Sequence, residues 1–242
     1  MGEIRITGIY DNTADRDDLI PGWGLSLLLT TLDHNILFDT GADLKILGHN
    51  LNRLKVDPEE LDAIFLSHPH CDHIGGLSAV LRKNSDITVY ITESFPDQLK
   101  RKIDGYGANQ ILISEPKEIF AGIWTTGEMK GVYKCTDLPE QSLILKTSKG
   151  TVLICGCSHP GITRIVERAR EIIPEDPYLI IGGLHLGGKR EEEILSVIKN
   201  LEDQSVNFVA PTHCTGKLAL KLIEREFGER FVHFGVGEDI SV

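Results

Sequence analysis

Ser67-His68-Pro69-His70-Cys71-Asp72-His73-Ile74-Gly75-Gly76 is the stretch on which the reading of this chain turns. It follows Ala63-Ile64-Phe65-Leu66, an apolar run with the length and composition of a buried strand. His68 and His70 stand two apart at the end of that strand and can aim their rings at one point. Asp72 and His73 are adjacent where a helix begins, so they can feed two neighbouring metal positions. Imidazole and carboxylate donors suit Zn²⁺, Fe or Mn²⁺. The bland alternative is a loop that is histidine-rich by accident, and it leaves the spacing unexplained.

Working outward, three more segments repeat the pattern. Thr151-Val152-Leu153-Ile154-Cys155-Gly156-Cys157-Ser158-His159-Pro160-Gly161 runs from a strand towards a helix. Tyr178-Leu179-Ile180-Ile181-Gly182-Gly183-Leu184-His185 ends a strand on histidine, and Phe208-Val209-Ala210-Pro211-Thr212-His213-Cys214 ends another. Of the nine histidines, those at 68, 70, 73, 159, 185 and 213 follow apolar runs in this way. Loops at one edge of a sheet are where α/β proteins collect functional side chains. A single such histidine reads as a buried structural residue; the set beside His68–His73 reads as a metal centre. His34, His49 and His233 have no such context and read as surface or packing residues.

Between these segments, strand-like and helix-like stretches interleave. Strands are expected at 4–10, 25–31, 35–39, 63–67, 87–92, 111–114, 118–125, 142–147, 151–156, 178–182, 207–210 and 231–234. Helices are expected at 43–54, 76–82, 96–103, 161–172, 190–201 and 217–227. In the fifth helix Ile194, Val197, Ile198 and Leu201 recur at helical spacing, and Leu218, Leu222 and Ile223 do so in the sixth. No repeat or low-complexity linker divides the chain, so 1–242 reads as a single domain. Strands come in groups rather than in strict alternation with helices, which predicts sheets rich in hairpins with helices outside them.

Composition narrows the function. Lys and Arg number 25 against 36 Asp and Glu among 242 residues, a net charge of −11. Phosphate contacts need clustered cations, so nucleic acid is not the expected partner; Lys100-Arg101-Lys102 reads as a solvated helix end. No apolar run reaches the ~20 residues that span a bilayer. Met1-Gly2-Glu3-Ile4-Arg5-Ile6 lacks an export signal, and five cysteines are an odd number for a disulfide framework. A cytoplasmic protein with unpaired thiols is the expectation.

The His68-x-His70-x-Asp72-His73 pattern after a strand and before Gly-Gly resembles the signature of the metallo-β-lactamase superfamily. Ile36-Leu37-Phe38-Asp39-Thr40-Gly41 resembles its first motif, and Pro211-Thr212-His213 its last histidine motif, in the expected order. The glycine-rich segments at 156–161, 182–186 and 211–216 resemble one branch, whose members are often labelled 7,8-dihydropterin-6-methyl-4-(β-D-ribofuranosyl)-aminobenzene-5′-phosphate synthases. The resemblance implies an α/β fold, an αββα sandwich of two mixed sheets with helices on the outer faces. It implies two divalent metal ions, Zn first with Fe or Mn compatible, held along one edge of the sheets. It also implies that Asp39 orients a ligand histidine or the loop around it, accepting an N–H rather than binding metal.

One departure from the superfamily pattern stands out. No histidine lies between His73 and His159, where a third-motif histidine normally precedes the strand that carries an aspartate. Cys157 stands in that aspartate's place and His159 supplies the missing imidazole. The resulting assignment gives one metal to His68, His70 and His159 and the second to Asp72, His73 and His213, with Cys157 as a further ligand. Cys71, Cys135, Cys155 and Cys214 read as small, partly buried thiols. His185 is placed beside the open face, as an oxyanion donor or general acid. Trp23, between Gly22 and Gly24, is either a lip over the site or part of a solvent-facing hairpin.

Two such metals turn bound water into hydroxide at neutral pH; Asp72 would hold that nucleophile and shuttle the proton the water gives up. The first reading is a metal-dependent hydrolase of a small-molecule ester, lactone, thioester or phosphoester. The alternative is a di-iron or iron-binding redox protein on the same fold, weakened by the lack of room for a flavin domain. A nuclease is disfavoured by charge, and a purely structural metal module by histidines arriving from four loops. A homo-oligomer is compatible with the sequence, and the substrate is not legible in it.

Overall fold

The structure is a computed structural model that describes residues 4–14 and 16–242. The reading of Met1-Gly2-Glu3 as the start of an N-terminus without a signal lies outside the described residues. The chain divides into two compact units: Gly2–Ser114 with Phe234–Val242, and Glu115–His233.

In the first unit, β1 (Arg5–Tyr10), β2 (Ser26–Thr30) and β3 (Asn35–Phe38) form an antiparallel meander. Parallel strands β4 (Ala63–Phe65), β5 (Thr88–Thr92) and β6 (Asn109–Ile113) continue the sheet, and β15 (Asp239–Ser241) closes the far edge against β1. Helices α1 (Leu44–Arg53), α3 (Leu77–Leu81) and α4 (Asp97–Tyr106) cover one face, with the single turn α2 (Cys71–Ile74) before α3. Asp43 caps α1, its carboxylate accepting from the N–H groups of Lys45 and Ile46. Leu47, Leu51, Leu77, Val80, Leu99 and Ile103 pack on Ile9, Leu37, Ile64, Val89 and Ile91. Each such side chain contributes about 1.5–3 kcal/mol on burial, and the sum holds the loops at the strand ends in place.

The second unit repeats the plan. Strands β7 (Lys117–Phe120), β8 (Ile123–Thr125), β11 (Leu143–Thr147) and β12 (Gly150–Cys155) are antiparallel, and β13 (Pro177–Gly183) and β14 (Phe208–Thr212) run parallel to β12. A separate short hairpin, β9 (Val132–Tyr133) with β10 (Thr136–Asp137), interrupts the passage from β8 to β11. Helices α5 (Ile162–Ile172), α6 (Glu191–Asp203) and α7 (Lys217–Phe227) pack Ile165, Val166, Ile194, Ile198, Leu222 and Ile223 onto Leu153, Ile180 and Val209.

All six expected helices form, and the sheets mix hairpins with parallel crossovers. Several details differ from the sequence reading. Residues 118–125 are two strands, because Gly122 turns the chain at φ 75°. Residues 231–234 form no strand, and Phe231 makes only an isolated bridge to Val209. Leu218 is 47% exposed, and Ala219 takes its place on the buried face of α7. No helix among the described residues is long and apolar enough to cross a membrane.

Candidate metal centre

Of the expected ligands, His68, His70, Asp72 and His73 belong to the first unit and Cys157, His159 and His213 to the second, and each set is organised around a buried carboxylate. In the first unit that carboxylate is Asp39, at φ 53° just past the end of β3. Its Oδ1 accepts the Ser67 N–H at 2.8 Å. Its Oδ2 accepts the Ser67 hydroxyl at 2.7 Å and His73 Nδ1–H at 2.6 Å. Since the serine proton goes to Asp39, His68 Nδ1–H must donate to Ser67 Oγ, 2.9 Å away. This network fixes both imidazoles as Nδ1–H tautomers with the lone pair on Nε2. Asp39 thus fixes the His73 ring and pins the loop at Ser67. Burial pushes its carboxyl above the ordinary range, against the opposing pull of His73 and Ser67.

His68 Nε2 lies 3.2 Å from His70 Nδ1. With its lone pair on Nε2, His68 accepts Nδ1–H from His70 in the absence of metal, and the same close approach lets the pair share a cation. Asp72 Oδ2 accepts the indole N–H of Trp23 at 2.7 Å. Trp23 is 61% exposed, so it is a surface residue and a site residue at once. The close approach depends on glycine. A Cβ on Gly75 would lie 2.0 Å from the Ala42 carbonyl oxygen, so α2 can meet the Asp39–Ala42 loop only without a side chain there.

In the second unit the carboxylate is Glu140, which the sequence reading missed. Its Oε1 accepts the N–H groups of Cys157 and Ser158, both at 2.9 Å. Its Oε2 accepts His159 N–H and His159 Nδ1–H, both at 2.8 Å. Burial opposes ionisation, but the His159 imidazole and the loop N–H groups win and hold the Glu140 carboxyl below its ordinary range. His159 is left, like His73, with its lone pair on Nε2. The His159 ring lies 4.6 Å from that of His185, and Tyr133 on the short hairpin meets both edge-on at 5.7 and 5.8 Å.

The remaining donors sit where parallel strands end. His213 is buried and opens a turn of 3₁₀ helix at residues 213–215, whose Thr215 hydroxyl ties to Thr212 and Leu184. Ser158, His185 and His213 all adopt left-handed backbone, at φ 60°, 49° and 49°. Such strain costs about 1–3 kcal/mol per residue and collects at functional loops. The cysteines divide. Cys71 and Cys135 are exposed; Cys155 is buried, and burial pushes its thiol up to about 12, which makes it inert. Cys214 is buried beside Cys157 and His185. Burial opposes its ionisation, yet the Cys157 thiol, His185 and the His213 charge hold it well below the usual thiol range. Cys214 thus stands among the candidate donors, where its sequence context reads as a bland buried thiol. His34, His49 and His233 lie outside these groups, as expected: His49 Nε2 meets the Asp18 carbonyl oxygen and His233 sits by Glu224.

The family model for the metallo-beta-lactamase superfamily matches residues 21–213. The chain belongs to the metallo-β-lactamase superfamily. It has that superfamily's αββα fold, and metallo-β-lactamase superfamily members are generally metal-dependent hydrolases that commonly bind divalent metals. The chain is 30% identical to the 7,8-dihydropterin-6-methyl-4-(beta-D-ribofuranosyl)-aminobenzene-5′-phosphate synthase of Methanocaldococcus jannaschii, over 91% of each protein. A solved structure described as a metal-dependent hydrolase of the beta-lactamase superfamily superposes with a TM-score of 0.82 at 25% identity, covering 99% of both chains. A diphosphatase of the PhnP family shares the fold at a TM-score of 0.67 and 16% identity, over 99% of this chain and 97% of the other.

Proposed function

We propose that this metallo-β-lactamase superfamily member is a hydrolase that uses two divalent metal ions on a small-molecule ester, lactone, thioester or phosphoester. His68, His70 and His159 would hold one ion; Asp72, His73 and His213 would hold the other. The observation that carries this reading is the polarity of the imidazole hydrogen bonds. Nδ1 is committed as a donor on His68, His73 and His159, two of them directly to a buried carboxylate, so each ring offers Nε2 as a ligand. Cys157 would be a further ligand, and in its own unit it also groups with His185 and Cys214.

Bound metal supplies Lewis acidity, lowering the pKa of water and polarising the oxygen of the group under attack. The protein's own residues do the rest. Asp72, with Oδ2 steadied by Trp23, positions the attacking water and takes its proton on a carboxylate oxygen. Asp39 and Glu140 accept Nδ1–H from the ligand rings and keep them from rotating. Zn²⁺ is the first expectation for the native ions, and imidazole with carboxylate also accepts Fe or Mn²⁺.

The Methanocaldococcus relative is named as a synthase, so bond formation is the competing reading. Turnover of p-nitrophenyl acetate and bis-p-nitrophenyl phosphate tests the hydrolase directly. The reading predicts release of p-nitrophenol that a chelator abolishes and Zn²⁺ or Mn²⁺ restores. Activity indifferent to chelation, or none towards these and a panel of lactones and thioesters, would contradict it.

A further inference from the structure

Cys157, His185 and Cys214 share a placement that the six-residue ligand set does not use. Each lies two residues beyond the end of its strand: β12 ends at Cys155, β13 at Gly183 and β14 at Thr212. The three strands are adjacent and parallel, with Cys155 opposite Gly182 and Gly183 opposite Thr212. Parallel neighbours run about 4.8 Å apart, so an equal overshoot brings three side chains together at one edge of one sheet. The donor atoms of the three residues all lie within 4.8 Å of one another.

The surroundings suit a ligand better than a packed core. Cys157 and Cys214 are 3% and 9% exposed, and His185 Nδ1 is buried without a hydrogen-bond partner. A Cβ on Gly183 would lie 2.5 Å from Cys214 Sγ, so the absent side chain is what admits the thiol. His185 holds a left-handed backbone at φ 49°, which a merely space-filling residue would have no reason to adopt.

We propose that Cys157, His185 and Cys214 form a metal site of their own, for a thiophilic divalent cation of the Zn²⁺ class, with its fourth position open to water. Two thiolates and one imidazole are a donor set that zinc accepts and that magnesium and calcium do not. Tetrahedral bonds of about 2.3 Å to sulfur and 2.0 Å to nitrogen need donors about 3.3–3.8 Å apart, inside the 4.8 Å that bounds this trio. Binding would release the two thiol protons to solvent. Ligation of His185 removes it from the role of proton donor to substrate. All three donors come from the second unit, so the site does not depend on the assignment of His68, His70, Asp72 and His73.

The test uses the full chain, stripped with a chelator under reductant and titrated with Co²⁺. The proposal predicts a thiolate-to-cobalt charge-transfer absorption with the intensity of two Co–S bonds. Cys214→Ser should lose about half of it and the Cys157→Ser/Cys214→Ser double variant all of it, while His70→Ala keeps it. Absence of the band from the wild type would overturn the site. So would a band unchanged in Cys214→Ser, which would leave Cys157 as the lone thiolate ligand among histidines. If the serine variants fail to fold, X-ray absorption at the zinc edge of the wild type decides: two sulfur scatterers per chain at about 2.3 Å support the site, and one or none refutes it. If His70→Ala leaves metal content untouched while the charge-transfer band stands, the two-metal reading falls and this site remains.

Discussion

Asp39 and Glu140 do the same job in two different sequence contexts. Each is buried, and each accepts Nδ1–H from one ligand imidazole together with N–H groups of the loop that carries the ligands. Asp39 was legible because it sits in the Phe38-Asp39-Thr40-Gly41 motif. Glu140 was not, because Leu138-Pro139-Glu140-Gln141 carries no local signal and its partners lie 17 to 19 residues further on. Removing the charge while keeping the shape tests it. Glu140→Gln should destabilise the protein by about 1.5–3 kcal/mol, the scale of hydrogen bonds to a charged group. The folded Glu140 carboxyl lies below its ordinary range, so its stabilising effect is complete above that range and is lost as pH falls through the folded value. Melting curves of chelator-stripped wild type and Glu140→Gln should therefore stay apart above the ordinary carboxylate range and converge as pH falls below it. A gap that widened on acidification would contradict the assignment. Trp23 offers a second test at this scale. Trp23→Phe removes the N–H that steadies Asp72 and should lower kcat roughly tenfold with metal content retained. An unchanged kcat would return Trp23 to the surface role its exposure suggests.

At the scale of elements, what decides the site is where strands stop. The apolar runs at 63–66, 151–155, 178–181 and 208–210 could be read as strands from composition, and the histidines after them follow. What could not be read is register. That Cys157, His185 and Cys214 come level depends on which residues of β12, β13 and β14 face each other, and this is set by packing between strands far apart in sequence. The short hairpin β9–β10 was invisible for a different reason: its strands have two residues each, and its turn is Lys134-Cys135 rather than a glycine pair. The helical turn α2 is four residues, too few for any periodicity to show. Glycines after the first histidine cluster were legible as motif but not as cause. Gly75→Ala would drive a Cβ into the Ala42 carbonyl, a contact that only backbone movement can relieve. The variant should lose metal through displacement of His73 and Asp72 and melt at a lower temperature, measured by elemental analysis and calorimetry. Full metal occupancy with an unchanged melting temperature would show that the loop has slack that the structure denies.

For the molecule as a whole, the net charge of −11 argues against polyanions as substrates, and a small molecule remains the expected partner. The fold was legible because one local pattern, a strand ending in a metal donor, recurs along the chain, and the superfamily match over residues 21–213 agrees with it. Substrate identity was not, since it depends on the shape of loops rather than on the residues that hold metal. The central claim is that the histidines and Asp72 gathered at these strand ends bind metal. Elemental mass spectrometry of purified wild type and His70→Ala, side by side, tests it most directly. The account predicts that His70→Ala folds, by circular dichroism, and carries at least one ion fewer per chain; equal metal content in the two proteins would contradict it.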